Sequence, residues 1–143
     1  MDSENLLTAA DSLFIQEDYE AALEKYEELA AQEDSPKAGL YLLRRGITKL
    51  KLGKYSSAIS DFNDARMEDA QLTTQSLEFE ARALFYSEEF KMAEKKFKAA
   101  IKVNAELSAR LDPWILKCAR EIEGKQIKAQ IGEFKKPEPQ TQK

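Results

Sequence analysis

The chain has 143 residues, 43% of them hydrophobic and 34% charged, with a formal net charge of −4 and no histidine, which indicates one acidic, helix-rich domain. The missing histidine removes the usual general base, the Ser-His and Cys-His dyads and the commonest zinc ligand, so we predict a protein that is not an enzyme and needs no cofactor or metal ion. The absence of a concentrated basic face argues against nucleic-acid binding, and the absence of a long apolar run argues against a membrane span, so we expect a cytoplasmic or nuclear protein.

Three related phrases follow one another along the chain: DYEAALEKY at residues 18–26, KYSSAISDF at 54–62 and EFKMAEKKF at 89–97. In each phrase an aromatic residue is followed by Ala three residues later and by a second aromatic four residues after that. The equivalent positions are Tyr19, Tyr55 and Phe90; Ala22, Ala58 and Ala93; and Tyr26, Phe62 and Phe97. Positions i, i+3 and i+7 share one face of a helix. Each phrase therefore predicts a helix whose aromatic side chains fill the gap to a neighbouring repeat.

A second helical stretch precedes each phrase: LLTAADSLFI, YLLRRGITKLKL and LEFEARALFY. A small residue, Ala10, Gly46 or Ala81, lies nine residues before the first aromatic and permits close packing of the two helices. Helix pairs that recur at this period predict stacked units that share a core. The units are placed near residues 3–36, 39–72 and 74–107.

A capping helix is predicted near residues 112–131, because an exposed last repeat needs a cover. Asp112 is a candidate N-cap, and Pro113 suits the first helical turn. Trp114 is expected to plug the third repeat, and Cys118 is expected to be a small buried apolar group.

The residues that follow, 132–143, are polar and contain proline, which predicts a disordered linker or tail.

The repeat pattern resembles the tetratricopeptide repeat, a helix-turn-helix unit of about 34 residues. In that family's order of small residue, aromatic, Ala, aromatic and small residue, the third unit matches with Ala81, Phe90, Ala93, Phe97 and Ala100. The resemblance implies an all-α fold of three helix-turn-helix repeats plus a C-terminal capping helix in a right-handed superhelical array. There are departures: Leu29 replaces the last small residue of the first unit, and Glu17 and Glu88 stand where a turn Gly is common.

The same resemblance implies that the first helices of the repeats line a concave, partner-binding face. By register with the repeat, that face is predicted to present Leu7, Asp11, Phe14, Leu40, Leu43, Arg44, Ile47, Phe79, Arg82 and Phe85. The alternative, that several of these are packed in the core, stays open. Family members that bind the acidic tails of chaperones use a clamp of Lys, Asn and Arg side chains. The matching positions here are Leu7, Asp11, Arg44, Gln75 and Phe79. None keeps the family's residue, so a clamp of this kind is not expected.

Three repeats followed by the sequence DPWILKC also resemble the N-terminal domain of the Sgt co-chaperone adaptor family, the suppressors of a G-two allele of Skp. The resemblance is carried by Asp112, Trp114 and Cys118 together with the repeat number. It implies an adaptor that links a chaperone system to the Skp subunit of cullin ubiquitin ligases, in ligase or kinetochore assembly.

The alternative is a structural self-assembly domain that forms homodimers without a peptide ligand. Residues 1–38 hold 11 acidic side chains against Lys25 and Lys37, whereas residues 89–117 are basic. The acidic end of one copy and the basic end of another are therefore expected to attract each other weakly, head to tail.

Overall fold

The computed structural model describes residues 2–32 and 34–135. The described part contains seven α-helices: α1 (Ser3–Ile15), α2 (Tyr19–Ala30), α3 (Ala38–Lys51), α4 (Tyr55–Glu68), α5 (Thr73–Tyr86), α6 (Phe90–Val103) and α7 (Ser108–Lys135). Single turns of 3-10 helix, Ala70–Leu72 and Ala105–Leu107, precede α5 and α7. Each α-helix packs mainly against the next one along the chain. The predicted array of three helix pairs and a final helix is thereby confirmed.

The core consists of the repeated phrase residues. Tyr26, Phe62 and Phe97 are the second aromatics of their phrases, and each is at most 1% exposed. The alanines of the phrases are also fully buried, so neighbouring helices press on them as the small side chain requires. Leu29, which departs from the repeat pattern, is fully buried as well, because the first unit uses a larger side chain to fill the same interior position.

Gly46 shows why a small residue is needed where the two helices of a repeat meet. A Cβ atom at this position would lie 2.6 Å from Cε1 of Phe62, which is closer than real Cβ contacts. The equivalent residues of the other repeats, Ala10 and Ala81, are fully buried. The close approach of α3 to α4 therefore depends on the absence of a side chain at Gly46.

The same turn joins the two helices of every repeat. Its central residue is Glu17, Gly53 or Glu88, with φ of 62°, 79° and 66°, in the left-handed region. The N–H of the following residue donates to the carbonyl of the residue five positions earlier, at 2.8 to 2.9 Å: Asp18 to Leu13, Lys54 to Lys49, and Glu89 to Leu84. This is the hydrogen-bond pattern of a Schellman motif, which usually places Gly at this position. Two of the three turns therefore hold a glutamate in a backbone conformation that is unfavourable for residues with a Cβ.

Buried carboxylates cross-link the helix pairs on the side of the core. Asp61 of α4 is 2% exposed and lies 2.7 Å from Arg45 and 3.0 Å from Lys49, both on α3. The hydrogen bond to Asp61 raises the pKa of Arg45 further above its ordinary value, against the opposing effect of burial. Glu80 of α5 contacts Arg66 of α4 at 2.8 Å. Removing one member of such a pair would leave an uncompensated buried charge.

The capping helix begins earlier in the chain than the sequence predicted. Helix α7 begins at Ser108 rather than near residue 112, so Asp112 is not its N-cap and Pro113 lies inside the helix. The chain enters α7 directly from the preceding 3-10 turn, where the Asn104 side chain accepts a hydrogen bond from the Glu106 N–H. Pro113 lacks the N–H that would bond to a carbonyl of the preceding turn, and the helix continues past it.

The end of α7 also corrects the predicted linker. Residues 132–135 are helical, and residues 136–143 of the predicted tail lie outside the described residues. Helix α7 has 28 residues, yet neither it nor any other helix of the described part is long and apolar enough to cross a membrane.

Candidate binding groove

Two neighbouring depressions lie along the face formed mainly by α1, α3 and α5. The first, here called the socket, has a volume of about 360 Å³ and is lined by Asp11, Phe14, Ile15, Tyr26, Arg44, Ile47 and Phe79. The second, here called the cleft, has a volume of about 230 Å³ and is lined by Ile47, Leu50, Lys51, Tyr55, Phe79, Arg82 and Tyr86. Because both are lined by Ile47 and Phe79, they lie next to each other, and together they are here called the groove.

The socket is mainly apolar. Phe14 and Ile15 come from the end of α1, Ile47 from α3 and Phe79 from α5. Ile15 is 79% exposed at the rim, whereas Phe79 stacks on the core ring of Phe62, with 6.0 Å between the ring centroids. Apolar walls backed by the core can bury a bulky apolar side chain of a partner and release its hydration water.

A polar network lies within the socket. The hydroxyl of Tyr26 donates a hydrogen bond to Oδ1 of Asp11. Nη1 of Arg44 donates to the same oxygen at 2.7 Å. Burial, reinforced by the bond to Asp11, raises the pKa of Tyr26 above its ordinary value, so the phenol remains a neutral donor. The charge of Asp11 is compensated by Arg44, and two polar groups that would be costly to bury alone are satisfied.

The cleft is more basic than the socket. Lys51 and Arg82 line it, together with Tyr55 and Tyr86. Nη2 of Arg82 lies 2.5 Å from a carboxylate oxygen of Glu78, which fixes the guanidinium on α5.

The final helix α7 also reaches this part of the groove. The guanidinium of Arg82 lies between two rings, 5.2 Å from the centroid of Phe79 and 5.1 Å from that of Trp114. Arg110, also from α7, binds Glu78 at 2.6 Å. Trp114 stacks on Phe97, with 5.4 Å between the centroids. Trp114 therefore covers the third repeat, as expected, and it also packs against one face of the Arg82 guanidinium in the groove.

The structure brings together six of the ten predicted partner-binding residues in the groove: Asp11, Phe14, Arg44, Ile47, Phe79 and Arg82. The other four lie elsewhere. Leu7 and Leu40 are half-buried outside both depressions, and Phe85 packs against Phe90 and Trp114. Leu43, which was predicted on the concave face, is a core residue instead, because it is 2% exposed and belongs to the central core cluster.

Several groove residues were missed by the prediction of the binding face. They are Ile15, Tyr26, Lys51, Tyr55 and Tyr86. Tyr26 and Tyr55 were assigned only to the repeat core, since they occupy the aromatic positions of the phrases. Tyr55 stacks with Tyr86, with 6.2 Å between the centroids. The signal that could have identified Tyr26 is its hydroxyl, which a purely apolar core position does not need.

No protein-family model matches the chain, and no curated protein matches it. Solved structures do match. The type III secretion translocator chaperone SycD of Yersinia enterocolitica has a TM-score of 0.73 at 20% identity, over 84% of this chain and 93% of that one. The Sgt2 TPR domain from Aspergillus fumigatus has a TM-score of 0.73 at 18% identity, over 87% and 81%. The TPR2B domain of yeast Sti1 has a TM-score of 0.72 at 24% identity, over 82% and 96%.

The chain has the tetratricopeptide-repeat fold. This confirms the fold class predicted from the three phrases. The Sgt2 TPR domain is among the similar structures. In this tetratricopeptide array the groove follows the first helix of each repeat, and the last repeat is completed by α7.

Proposed function

We propose that the protein is a non-catalytic protein–protein interaction module that holds a segment of its partner in the concave groove. The observation that carries this proposal is the groove, whose mainly apolar socket contains a compensated Asp11–Arg44 pair. Tetratricopeptide structures of similar shape support it. The first TPR domain of Spaghetti is bound to the HSP90 peptide SRMEEVD, and SycD is in complex with a peptide of the translocator YopD.

The absence of catalysis is part of the proposal. The sequence contains no histidine. The acidic groups in and beside the groove, Asp11 and Glu78, are each held by two partners. Burial raises the pKa of the Cys118 thiol to about 11, so very little of it would be the reactive thiolate at neutral pH.

The more specific proposal is an adaptor that connects a chaperone system with the Skp subunit of cullin ubiquitin ligases, in ligase or kinetochore assembly. It is supported by the DPWILKC sequence, in which Trp114 and Cys118 pack against the third repeat. A cytoplasmic or nuclear location belongs to the same proposal.

Chaperone tails themselves are not proposed as groove ligands. At the clamp positions, Leu7, Gln75 and Phe79 offer no positive charge, and Arg44 is already bound to Asp11. We expect no measurable binding of the peptide SRMEEVD by calorimetry. Micromolar binding that is lost in Arg44→Ala or Arg82→Ala would contradict this expectation.

The groove proposal is tested by a matched pair of variants. Ile15→Lys places a charge at the rim of the socket, and Met67→Lys makes the same change at an 83% exposed position of α4 outside the groove. We expect Ile15→Lys to weaken calorimetric binding of a purified Skp-type subunit, and Met67→Lys to leave it unchanged. Equal affinities for both variants would place binding outside the groove, and no binding by the unchanged protein would contradict the ligase-adaptor proposal.

A second candidate function is structural self-assembly into homodimers without a peptide ligand. It is favoured by apolar side chains that remain exposed on α7, namely Leu116, Ile127 and Ile131, each 45–50% exposed. Charge attraction between the acidic first repeat and the basic end would add a salt-sensitive component.

A further inference from the structure

Helix α7 has two different faces. One side packs against α6 and contains Leu111 and Cys118, which are fully buried. The other side carries Leu116, Arg120, Glu123 and Ile127, here called the outer seam. At 100° of rotation per residue, these four positions fall within about 60° of one another. Leu116 is 50% exposed and Ile127 is 46% exposed, and both charged residues between them are exposed.

The outer seam is self-complementary. Its residues are separated by four, three and four positions, and their order is apolar, basic, acidic, apolar. This is the alternating spacing of the contact positions in a coiled coil. Read from the opposite end, the spacing is the same and the two charges are exchanged. An antiparallel copy would therefore place the partner's Ile127 against Leu116 and the partner's Glu123 against Arg120, and the two-fold axis would repeat both contacts.

We propose that the outer seam docks against the outer seam of a second copy of this chain, as an antiparallel helix pair. The proposal rests on the self-assembly candidate, specifies its surface, and leaves the groove of each copy free.

The charged residues of the outer seam are available for such a contact. The buried acids Asp61, Glu78 and Glu80 each contact two basic side chains. Within the described residues, Arg120 and Glu123 have no ion-pair partner. In the antiparallel arrangement each would gain one of opposite charge.

Residues 136–143, which follow α7 in the sequence, are a poorer occupant of the seam. Residues 136–143 read KPEPQTQK and contain no large apolar side chain that could cover Leu116 or Ile127. A second α7 supplies both the apolar and the charged groups. We expect a single helix pair of this length to bury less than the roughly 1,200 Å² of total surface that separates standard interfaces from weak ones. The dimer should therefore be reversible and depend on concentration.

Charge reversal tests the pairing directly by sedimentation velocity of the full chain over a wide concentration range. Arg120→Glu places a glutamate opposite the other copy's Glu123 in both symmetry-related contacts. Glu123→Arg likewise places an arginine opposite the other copy's Arg120 in both contacts. We expect either variant to raise the dimer dissociation constant about tenfold. The double variant Arg120→Glu/Glu123→Arg should restore it. Lys54→Glu, the same change of charge at an exposed position just before α4, outside both the seam and the basic stretch 89–117, is the matched control and should have little effect. Circular dichroism checks that all variants keep their helical content.

An equal mixture of the two single variants gives the most specific result. In a heterodimer of these chains, every acidic seam residue faces a basic one, so the mixture should associate more strongly than either variant alone. A strict monomer at all concentrations, or a mixture that behaves as the sum of its components, would overturn the outer-seam pairing. A dimer unaffected by Arg120→Glu would also overturn it, but would leave self-assembly through the charged ends of the array standing.

Discussion

The aromatic side chains of the repeat core and those of the groove differ in environment although they are of the same type. Phe62 and Phe97 are fully enclosed between helices, whereas Phe14 and Phe79 pack on the core from one side and leave the other side open to the socket. The same helix pairs therefore enclose the core aromatics on one side, and in the proposed function they hold a segment of the partner on the other. Tyr26 belongs to both regions, since its ring is buried in the core and its hydroxyl reaches Asp11 in the groove.

The largest expected effect comes from truncating a core aromatic. Phe62→Ala should lower the free energy of unfolding by roughly 3–5 kcal/mol, because it removes a fully buried ring and leaves a cavity between the central repeat and its neighbours. Phe79→Ala is the comparison from the groove and should cost clearly less, since its ring is partly exposed. Urea denaturation measures both. Equal losses would remove the distinction between the core and groove aromatics.

The core was predictable from the sequence because the repeat gives each core position three independent indications. An aromatic residue recurs at the position of Phe62 in all three repeats, with Phe97 as its equivalent in the third. A small residue likewise recurs at the position of Gly46 on the facing helix. Within one repeat, the period of a helix alone locates the buried stripe, and the stacking of repeats then follows.

The groove was predictable only in part. Leu43 and Arg44 are adjacent in the sequence and both were assigned to the exposed face, but one turned out to be core and the other lines the socket. A rotation of 100° separates them, and only the position of the neighbouring helices decides which side is open. The start of α7 was missed for a related reason, since Asp112 and Pro113 form a local N-terminal signal that the preceding 3-10 turn overrides.

A smaller effect is expected at the residue that joins the two regions. Tyr26→Phe keeps the ring and removes the hydroxyl that bonds to Asp11, which should cost about 1 kcal/mol at neutral pH. The raised pKa of Tyr26 adds a pH dependence with a definite sign. Its stabilising contribution is fully present below the unfolded-state pKa of about 10 and is lost as the pH rises toward the higher folded-state value.

The test is the difference in unfolding free energy between the unchanged protein and Tyr26→Phe, measured from neutral to alkaline pH. The difference should shrink above about pH 10, while effects of the other titrating groups cancel. A difference that stays constant at high pH would mean that the hydroxyl of Tyr26 is not held by Asp11 in solution.

The smallest expected effect concerns the turns between the two helices of each repeat, which have the same backbone but different residues. Glu88 has φ of 66°, and Gly53 adopts 79° in the equivalent turn without a Cβ. Glu88→Gly should raise the unfolding free energy by about 0.5–1 kcal/mol, because relief of the left-handed strain exceeds the added entropy of the unfolded chain. The weak exposed contact of Glu88 with Lys125, at 3.9 Å, contributes little.

Glu88→Ala is the control, since it removes that contact and keeps the Cβ, and it should not stabilise the protein. If both variants were equally stable in urea denaturation, the glutamate would not be strained, and the three turns would be energetically equivalent despite their different residues.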